Sequence, residues 1–334
     1  MTTPANPTQP EPRRFSIRLP RPLWIGVATI GLVVVAVALR FGVPIYRQYA
    51  AVREIERLGG EVDETSPRGP EWLREQVGDE LMSLFDAVVD VGLGSTQATD
   101  ATLRKISCLT SLRGLSLDST QVTNAGLAHL RGFASLRALD LNDTRTTDAG
   151  LANVRSLTSL EAIWLENTQV SDAGLAHLKG LTSLQKLFLA NTQVTDAGLL
   201  QLRGATRLRD LWLENTRVTD AGLANLSELR SLQILSLDGT QVTEAGLAQL
   251  NELTSLQHLS LKNTRVADAG LAHLQGLTKL QRLYLENTPV TDAGLVHLKE
   301  LTSLWDVWLS GTHVTEAGVA KLKRSLPTLT IIFR

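Results

Sequence analysis

A chain of 334 residues that is 43% hydrophobic and 20% charged has the length of two ordinary globular domains. Its single cysteine, Cys108, excludes an internal disulfide framework and any CxxC metal or redox site. The formal net charge is -1, but residues 1–50 carry six arginines against Glu11 alone, which leaves -6 on the remainder and disfavours a nucleic-acid surface.

Residues 1–22 hold six of the eleven prolines and read as a disordered basic tail. Next comes the uncharged run "LWIGVATIGLVVVAVAL", Leu23 to Leu39, which extends to Tyr46 if Arg40 snorkels. As a helix, its 17 residues cover roughly 25 Å, and the extension reaches the roughly 30 Å of a hydrocarbon core. The expectation is one transmembrane helix over residues 23–46. A buried core helix and a cleaved signal peptide ending near Ala36–Ala38 are the alternatives, and the length of the run favours a retained anchor. Arg13, Arg14, Arg18 and Arg21 precede the run, whereas Arg47 and Arg53 beyond it are offset by Glu54 and Glu56. That asymmetry places the N-terminus in the cytoplasm and the bulk of the chain outside it.

Residues 47–87 read as a juxtamembrane helix and an N-terminal cap. Val52, Ile55 and Leu58 recur at three-residue spacing before Gly59 and Gly60, an amphipathic helix with a glycine stop. A second helix is expected from Pro70, with Trp72, Leu73, Val77, Leu81 and Leu84 along apolar faces broken near Gly78. The cap is needed because a stack of repeats must cover its first apolar layer.

From residue 88 to the last residue, 334, the chain keeps one period. Asn124, Asp148, Asp172, Asp196, Asp220, Glu244, Asp268, Asp292 and Glu316 fall 24 residues apart without an insertion. Within one unit Leu208, Leu211, Leu213, Val218, Leu223, Leu226 and Leu229 are apolar, and nearly every copy repeats the pattern. No unit buries those side chains alone, so the units must stack as an α/β solenoid, with parallel strands on one face and helices on the other.

LxxLxLxxT followed by VTDAGLxxL resembles a leucine-rich repeat, of the variety seen in F-box leucine-rich repeat proteins and in bacterial membrane-anchored repeat proteins. The resemblance implies a curved parallel β-sheet on the concave face and helices on the convex face. No F-box precedes the repeats, so adaptor function does not carry over. Where the common motif has Asn or Cys, this chain has Thr at 96, 120, 144, 168, 192, 216, 240, 264, 288 and 312. The expected role is a ladder of hydroxyls bonding to the backbone of neighbouring turns.

Thr123, Thr147, Ser171, Thr195, Thr219, Thr243, Thr291 and Thr315 precede the acidic position and read as helix N-caps, with the acid serving the first turn of its own helix. Ala267 is the exception. A calcium row along these acids is rejected because Asn124 breaks it, and no metal or other cofactor is expected. Glycines such as Gly222 read as close packing of helix on sheet. His129, His177, His273 and His297 share an offset with Asn, Gln and Lys, which marks a solvated convex position.

The outward strand residues are more selective. With Leu211 and Leu213 inward, alternation puts Trp212 outward into water. Ser116, Asp140, Trp164, Phe188, Trp212, Ser236, Ser260, Tyr284 and Trp308 share that offset, which holds five of the eight aromatics after residue 109. Nine acids on the same face, Asp90, Asp118, Asp140, Glu166, Asp210, Glu214, Asp238, Glu286 and Asp306, face only Lys186, Lys262 and Arg282, with Asp238, Lys262 and Glu286 expected as an ion-pair ladder. The candidate ligand-binding residues are therefore Trp164, Glu166, Phe188, Asp210, Trp212, Glu214, Tyr284, Glu286 and Trp308. Cross-strand stacking alone is the competing explanation of the aromatics.

The leading functional reading is a membrane-tethered scaffold for a protein or peptide partner, a basic one by charge. The alternative is carbohydrate or cell-wall binding, in which aromatic faces meet sugar C–H groups. An enzyme is disfavoured: its best constellation, Asp238, His258 and Ser260, lies on an open face without evident oxyanion donors.

Overall fold

The computed structural model describes residues 21–67, 71–78, 82 and 85–333. The chain divides into two compact units, Met1–Arg47 and Gln48–Arg334. In the first, helix α1 (Arg21–Val37) is followed by a π-helical turn at Ala38–Gly42, and α2 (Val43–Arg57) begins directly after it, with its residues 48–57 belonging to the second unit. Ile30, Leu32, Val33, Val34, Val35 and Leu39 are all exposed. Among the described residues no single helix is long and apolar enough to cross a membrane. The tail expected at 1–22 lies almost wholly outside the described residues.

The second unit is built on a 12-stranded sheet whose strands follow chain order. They are β1 (Glu61–Ser66), β2 (Ala87–Gly92), β3 (Gly114–Ser116), β4 (Ala138–Asp140), β5 (Ala162–Trp164), β6 (Lys186–Phe188), β7 (Asp210–Trp212), β8 (Ile234–Ser236), β9 (His258–Ser260), β10 (Arg282–Tyr284), β11 (Asp306–Trp308) and β12 (Thr330–Ile332). From β2 onward all pairs are parallel, and each residue meets its equivalent one period later, as Leu187 meets Leu211 and Leu211 meets Leu235. This is the leucine-rich repeat solenoid: a strand, a turn and a helical return per unit, with no unit closed on itself. Leu208, Leu211, Leu213, Val218, Leu223, Leu226 and Leu229 are all fully buried, as their spacing requires.

The helical returns are shorter than the sequence suggests. A typical unit has one α-turn, Asp220–Leu223, and then a 3-10 turn, Ala224–Leu226. The first and last units carry longer helices, Asp100–Ile106 and Glu316–Ser325. Between strand and helix the chain passes through a left-handed residue once per period: Ser95, Ser119, Asp143, Asn167, Asn191, Asn215, Gly239, Asn263, Asn287 and Gly311 all have positive φ. Asn, Asp and Gly tolerate that region best, which explains the residue before eight of the ten repeat threonines, Ser95 and Ser119 being the exceptions.

The repeat threonines correct the expected ladder. Thr216 Oγ1 donates to Leu213 O at 2.7 Å, Thr240 Oγ1 to Leu237 O at 2.6 Å, and the other eight do the same within their own turn. A hydroxyl on so short a side chain reaches the carbonyl three residues back and not the neighbouring unit. Each threonine therefore satisfies its own left-handed turn.

The cap covers the first apolar layer with α2, whose Ala51 and Ile55 are buried in the core, backed by Val52, Leu58 and Val62. Lys105 Nζ on the first repeat helix reaches Glu54 Oε1 on α2 at 2.9 Å. Gly59 at φ 79° ends the helix, and a Cβ on Gly60 would stand 2.7 Å from the Gly92 carbonyl. Two features depart from expectation. Strand β1 pairs antiparallel with β2, although Val62 is its only large apolar residue. Helix α3 spans only Glu71–Val77, and Trp72 is exposed instead of packed. Leu81 and Leu84 lie outside the described residues.

Candidate functional site

Parallel pairing at one register brings equivalent outward residues side by side. Trp164 pairs with Phe188 and Phe188 with Trp212 on β5, β6 and β7. Their rings stack with centroids 5.2 Å and 5.6 Å apart, at interplanar angles of 8° and 29°. Tyr284 and Trp308 form a second, tilted pair at 5.8 Å on β10 and β11. All five rings are half-buried, which corrects the expectation of tryptophans standing free in water. Strands about 4.8 Å apart place each ring against the face of the next, so stacking covers area that alternation alone leaves exposed. The aromatics therefore contribute to the sheet, and three contiguous rings remain partly exposed.

The two groups differ in occupancy. Lys262 Nζ lies 4.8 Å from the Tyr284 ring centre, 5.9 Å from that of Trp308, and 3.0 Å from Glu286 Oε1. A cation already fills the space between two rings and a carboxylate. The expected ladder is thus half formed: Lys262 pairs with Glu286 through its ammonium, whereas Asp238 accepts from the Lys262 backbone N–H at 2.9 Å and from the Ser260 hydroxyl. Asp210 is buried and paired with Lys186 Nζ at 3.4 Å, so it serves the sheet more than the surface.

The remaining acids lie in a demanding environment. Burial pushes the carboxyls of Asp140, Glu166, Glu214 and Asp238 above their ordinary values. Neighbouring acids add to the effect, Asp140 and Asp143 on Glu166, and Asp238 and Glu166 on Glu214. Asn142 orders Glu166 by accepting its backbone N–H at 2.7 Å and donating to Oε2 at 3.2 Å. Ser236 lies close enough to Glu214 to favour its ionised form, yet outside ordinary hydrogen-bond geometry. Trp212 Nε1, Glu214 Oε2, Glu286 Oε2, Asp306 Oδ1 and Trp308 Nε1 are buried without a hydrogen-bond partner, all on this face. Unmatched polar atoms cost stability, which marks a surface not optimised for folding alone.

Sequence reasoning missed a recess at the N-terminal end of the face. It is a cavity of about 600 Å³ lined by Asp63 and Glu64 of β1, Asp90, Gly114, Ser116, Ala138, Asp140 and Trp164. It exists because β3 and β4 carry Gly114 and Ala138 at the offset where β6 and β10 carry Lys186 and Arg282. The signal was present as small residues at one register, but the contribution of β1 was not legible.

The hydrolase-like constellation does not assemble. Ser260 donates to Asp238 and not to His258, and burial and Arg282 lower the imidazole's pKa. Among the described residues no group of three or more His, Cys, Asp or Glu is placed to hold a metal ion. The repeat acids instead hold the next unit: Asp196 Oδ1 accepts the Thr219 N–H and Oδ2 its hydroxyl. Asn153, at the histidine offset, is buried and bonded to Arg131, so that position is not uniformly solvated.

No protein family model matches the chain, and no curated protein matches it either. Among solved structures it is similar to an internalin (inlF) from Listeria monocytogenes at 21% identity, covering 73% of this chain and 86% of that one with a TM-score of 0.49. An internalin C2 (inlC2) from the same organism is 29% identical over 62% of this chain and 84% of its own, also at 0.49. A leucine-rich repeat protein of Leptospira interrogans is 21% identical, covering 69% and 68% with a TM-score of 0.44. At these scores the functional reading rests on the geometry of the sheet face itself.

Proposed function

We propose that the chain is a membrane-tethered scaffold that holds a protein or peptide partner against its sheet face. The observation that carries this reading is the in-register stack of Trp164, Phe188 and Trp212, half-exposed and flanked by Glu166 and Glu214. A contiguous aromatic patch with polar neighbours is the usual form of a recognition surface. The acids favour a basic partner and supply steering over distance. The test is crosslinking of the full chain in its native membrane, comparing Trp164→Ala and Trp212→Ala with the parent and with Ser236→Ala. Partners recovered with the parent and Ser236→Ala but lost from both tryptophan variants support the reading. Equal recovery from all four removes it.

The anchor belongs to the same proposal. Support comes from the uncharged run Leu23–Leu39, from exposed apolar side chains at Ile30, Leu32, Val33, Val34, Val35 and Leu39, and from α2 beginning directly after the turn at Ala38–Gly42. Residues 23–46 then form one membrane-crossing segment, with the N-terminus cytoplasmic and the repeats outside. Protease added to spheroplasts is expected to digest the repeats without lysis. Protection until the membrane is opened would reverse the orientation.

A further inference from the structure

We propose that the N-terminal half of the sheet face docks an extended segment with one arginine or lysine side chain in the recess between β1 and β5 and apolar residues over Trp164, Phe188 and Trp212. This rests on the scaffold reading and adds the polarity and chemistry of the occupant.

Three observations point to a cation at that end. First, the recess is open and walled by carboxylates from two directions, Asp63 and Glu64 from β1, and Asp90 and Asp140 from β2 and β4. Second, Glu64 and Asp90 are register partners across the β1–β2 pair, and their carboxyl groups contact each other. Two carboxyls in contact share a proton or take up a cation between them. Burial first, then the Glu64 contact and the Asp63 charge, hold Asp90 above its ordinary value, against the opposing charge of Arg113. Third, Trp164 forms the far wall of the recess and the first ring of the aromatic stack, so the acidic end and the apolar end are one continuous surface.

The other half of the face shows the same chemistry already satisfied. There Lys262 lies between Tyr284, Trp308 and Glu286, an aromatic and acidic cage filled by the chain's own lysine. The recess combines acids and an aromatic wall in the same way, and among the described residues no lysine or arginine lines it. Gly114, Ser116 and Ala138 line it with small side chains, and the Asp90 carboxylate lies over Gly114, so the open space suits a long side chain with an apolar stem and a charged head. From β2 to β7 is five strand steps, roughly 24 Å, which an extended segment of about seven residues spans. The occupant is thus a short linear stretch with a cation at one end and apolar side chains at the other. A sugar chain is disfavoured because its hydroxyls bring no charge to the acids.

The test is panning of a random twelve-residue peptide display library on the full chain in detergent, in parallel with a Glu64→Gln/Asp90→Asn variant whose melting temperature is checked first. The expected result is enrichment of peptides with one Arg or Lys at a fixed distance from an apolar pair, with the variant keeping the apolar preference and losing the cation. Should the variant misfold, the enriched peptide is remade with citrulline in place of arginine, or with norleucine in place of lysine, and titrated against the unaltered chain. An affinity loss of about tenfold or more is expected for the uncharged peptide. Peptides that bind without a cation, or an uncharged peptide that binds as well as the charged one, overturn this inference and leave the scaffold reading standing. Failure of any peptide to bind also overturns this inference, whereas the scaffold reading stands or falls on the crosslinking comparison.

Discussion

Asp196 and Thr219, 23 residues apart, are joined twice: Asp196 Oδ1 accepts the Thr219 backbone N–H at 2.8 Å, and Oδ2 accepts its hydroxyl at 2.6 Å. The same pair of hydrogen bonds joins Asp100 to Thr123, Asp148 to Ser171, Asp172 to Thr195, Asp220 to Thr243, Asp268 to Thr291 and Asp292 to Thr315. Asn124 and Thr147 form an uncharged version. The carboxylate also explains most of the glycines two positions after the repeat acids. A Cβ on Gly222 would stand 2.3 Å from Asp196 Oδ1, so the close approach is to the previous unit's staple and not to the sheet.

Glu244 is the one glutamate with a unit after it, and the residue it faces is Ala267, the one cap without a hydroxyl. The two exceptions coincide because a glutamate is one methylene too long for the staple, and Ala267 offers it no hydroxyl. Glu244→Asp together with Ala267→Thr is expected to install the missing staple and stabilise the chain by about 1–2 kcal/mol. Either change alone should yield less than half of that. Asp196→Ala should cost about 2–3 kcal/mol by the same reasoning, measured by denaturant unfolding. An additive double mutant at 244 and 267 would show that the two residues do not cooperate.

The staple is not legible in the sequence, because its two halves lie in different units. An acid in the first turn of a helix has an obvious local role, and the competing bond lies one period away. The fold itself was legible, since seven apolar offsets repeating every 24 residues admit few arrangements other than a parallel stack. Placement of Trp164, Phe188 and Trp212 on one line followed from the same period. Their half-burial did not, because alternation reports which way a side chain points and says nothing about the ring beside it. Strand β1 was hidden for a simpler reason: "EVDETS" has one large apolar residue and no pattern to read.

Stacking also predicts how the chain responds to damage. Removing one full unit, residues 192 to 215, rejoins equivalent positions and leaves one fewer layer. Leu211→Asp instead puts a carboxylate at a fully buried position with no partner, at a cost of several kcal/mol. Calorimetry is expected to rank the deletion as the milder change. Parity of the point variant with the parent would contradict the inward placement of Leu211.

Lys262 gives a prediction that separates the two aromatic groups. Lys262→Ala removes the ion pair to Glu286 and the ammonium above Tyr284 and Trp308, for an expected loss of about 1 kcal/mol in stability. It also empties a cage suited to a cation. A tetraalkylammonium ion should then quench tryptophan fluorescence in the variant at concentrations that leave the parent unchanged. Identical quenching curves would mean that Lys262 does not fill the site.

Protonation separates stabilising acids from functional ones. Hydrogen bonds from Arg57 and Lys105 hold Glu54 at about 2, below its ordinary 4.5, so its contribution is present above 4.5 and is lost as pH falls through about 2. Glu214 runs the other way. Burial raises its pKa, so the folded state keeps the proton to higher pH than the unfolded chain does. Its contribution is therefore complete below the ordinary carboxylate value and is lost as pH rises through the raised one. At pH 7, Glu54→Gln should lower the melting temperature and Glu214→Gln should raise it. Toward pH 3 both differences should shrink, the first because Glu54 begins to protonate and the second because Glu214 is already neutral. An acid that weakens the fold at neutral pH needs another reason to be charged, and partner binding supplies one: Glu214→Gln should gain stability and lose affinity for a basic partner. A variant that gains stability without losing affinity would show that Glu214 serves neither the sheet nor the partner.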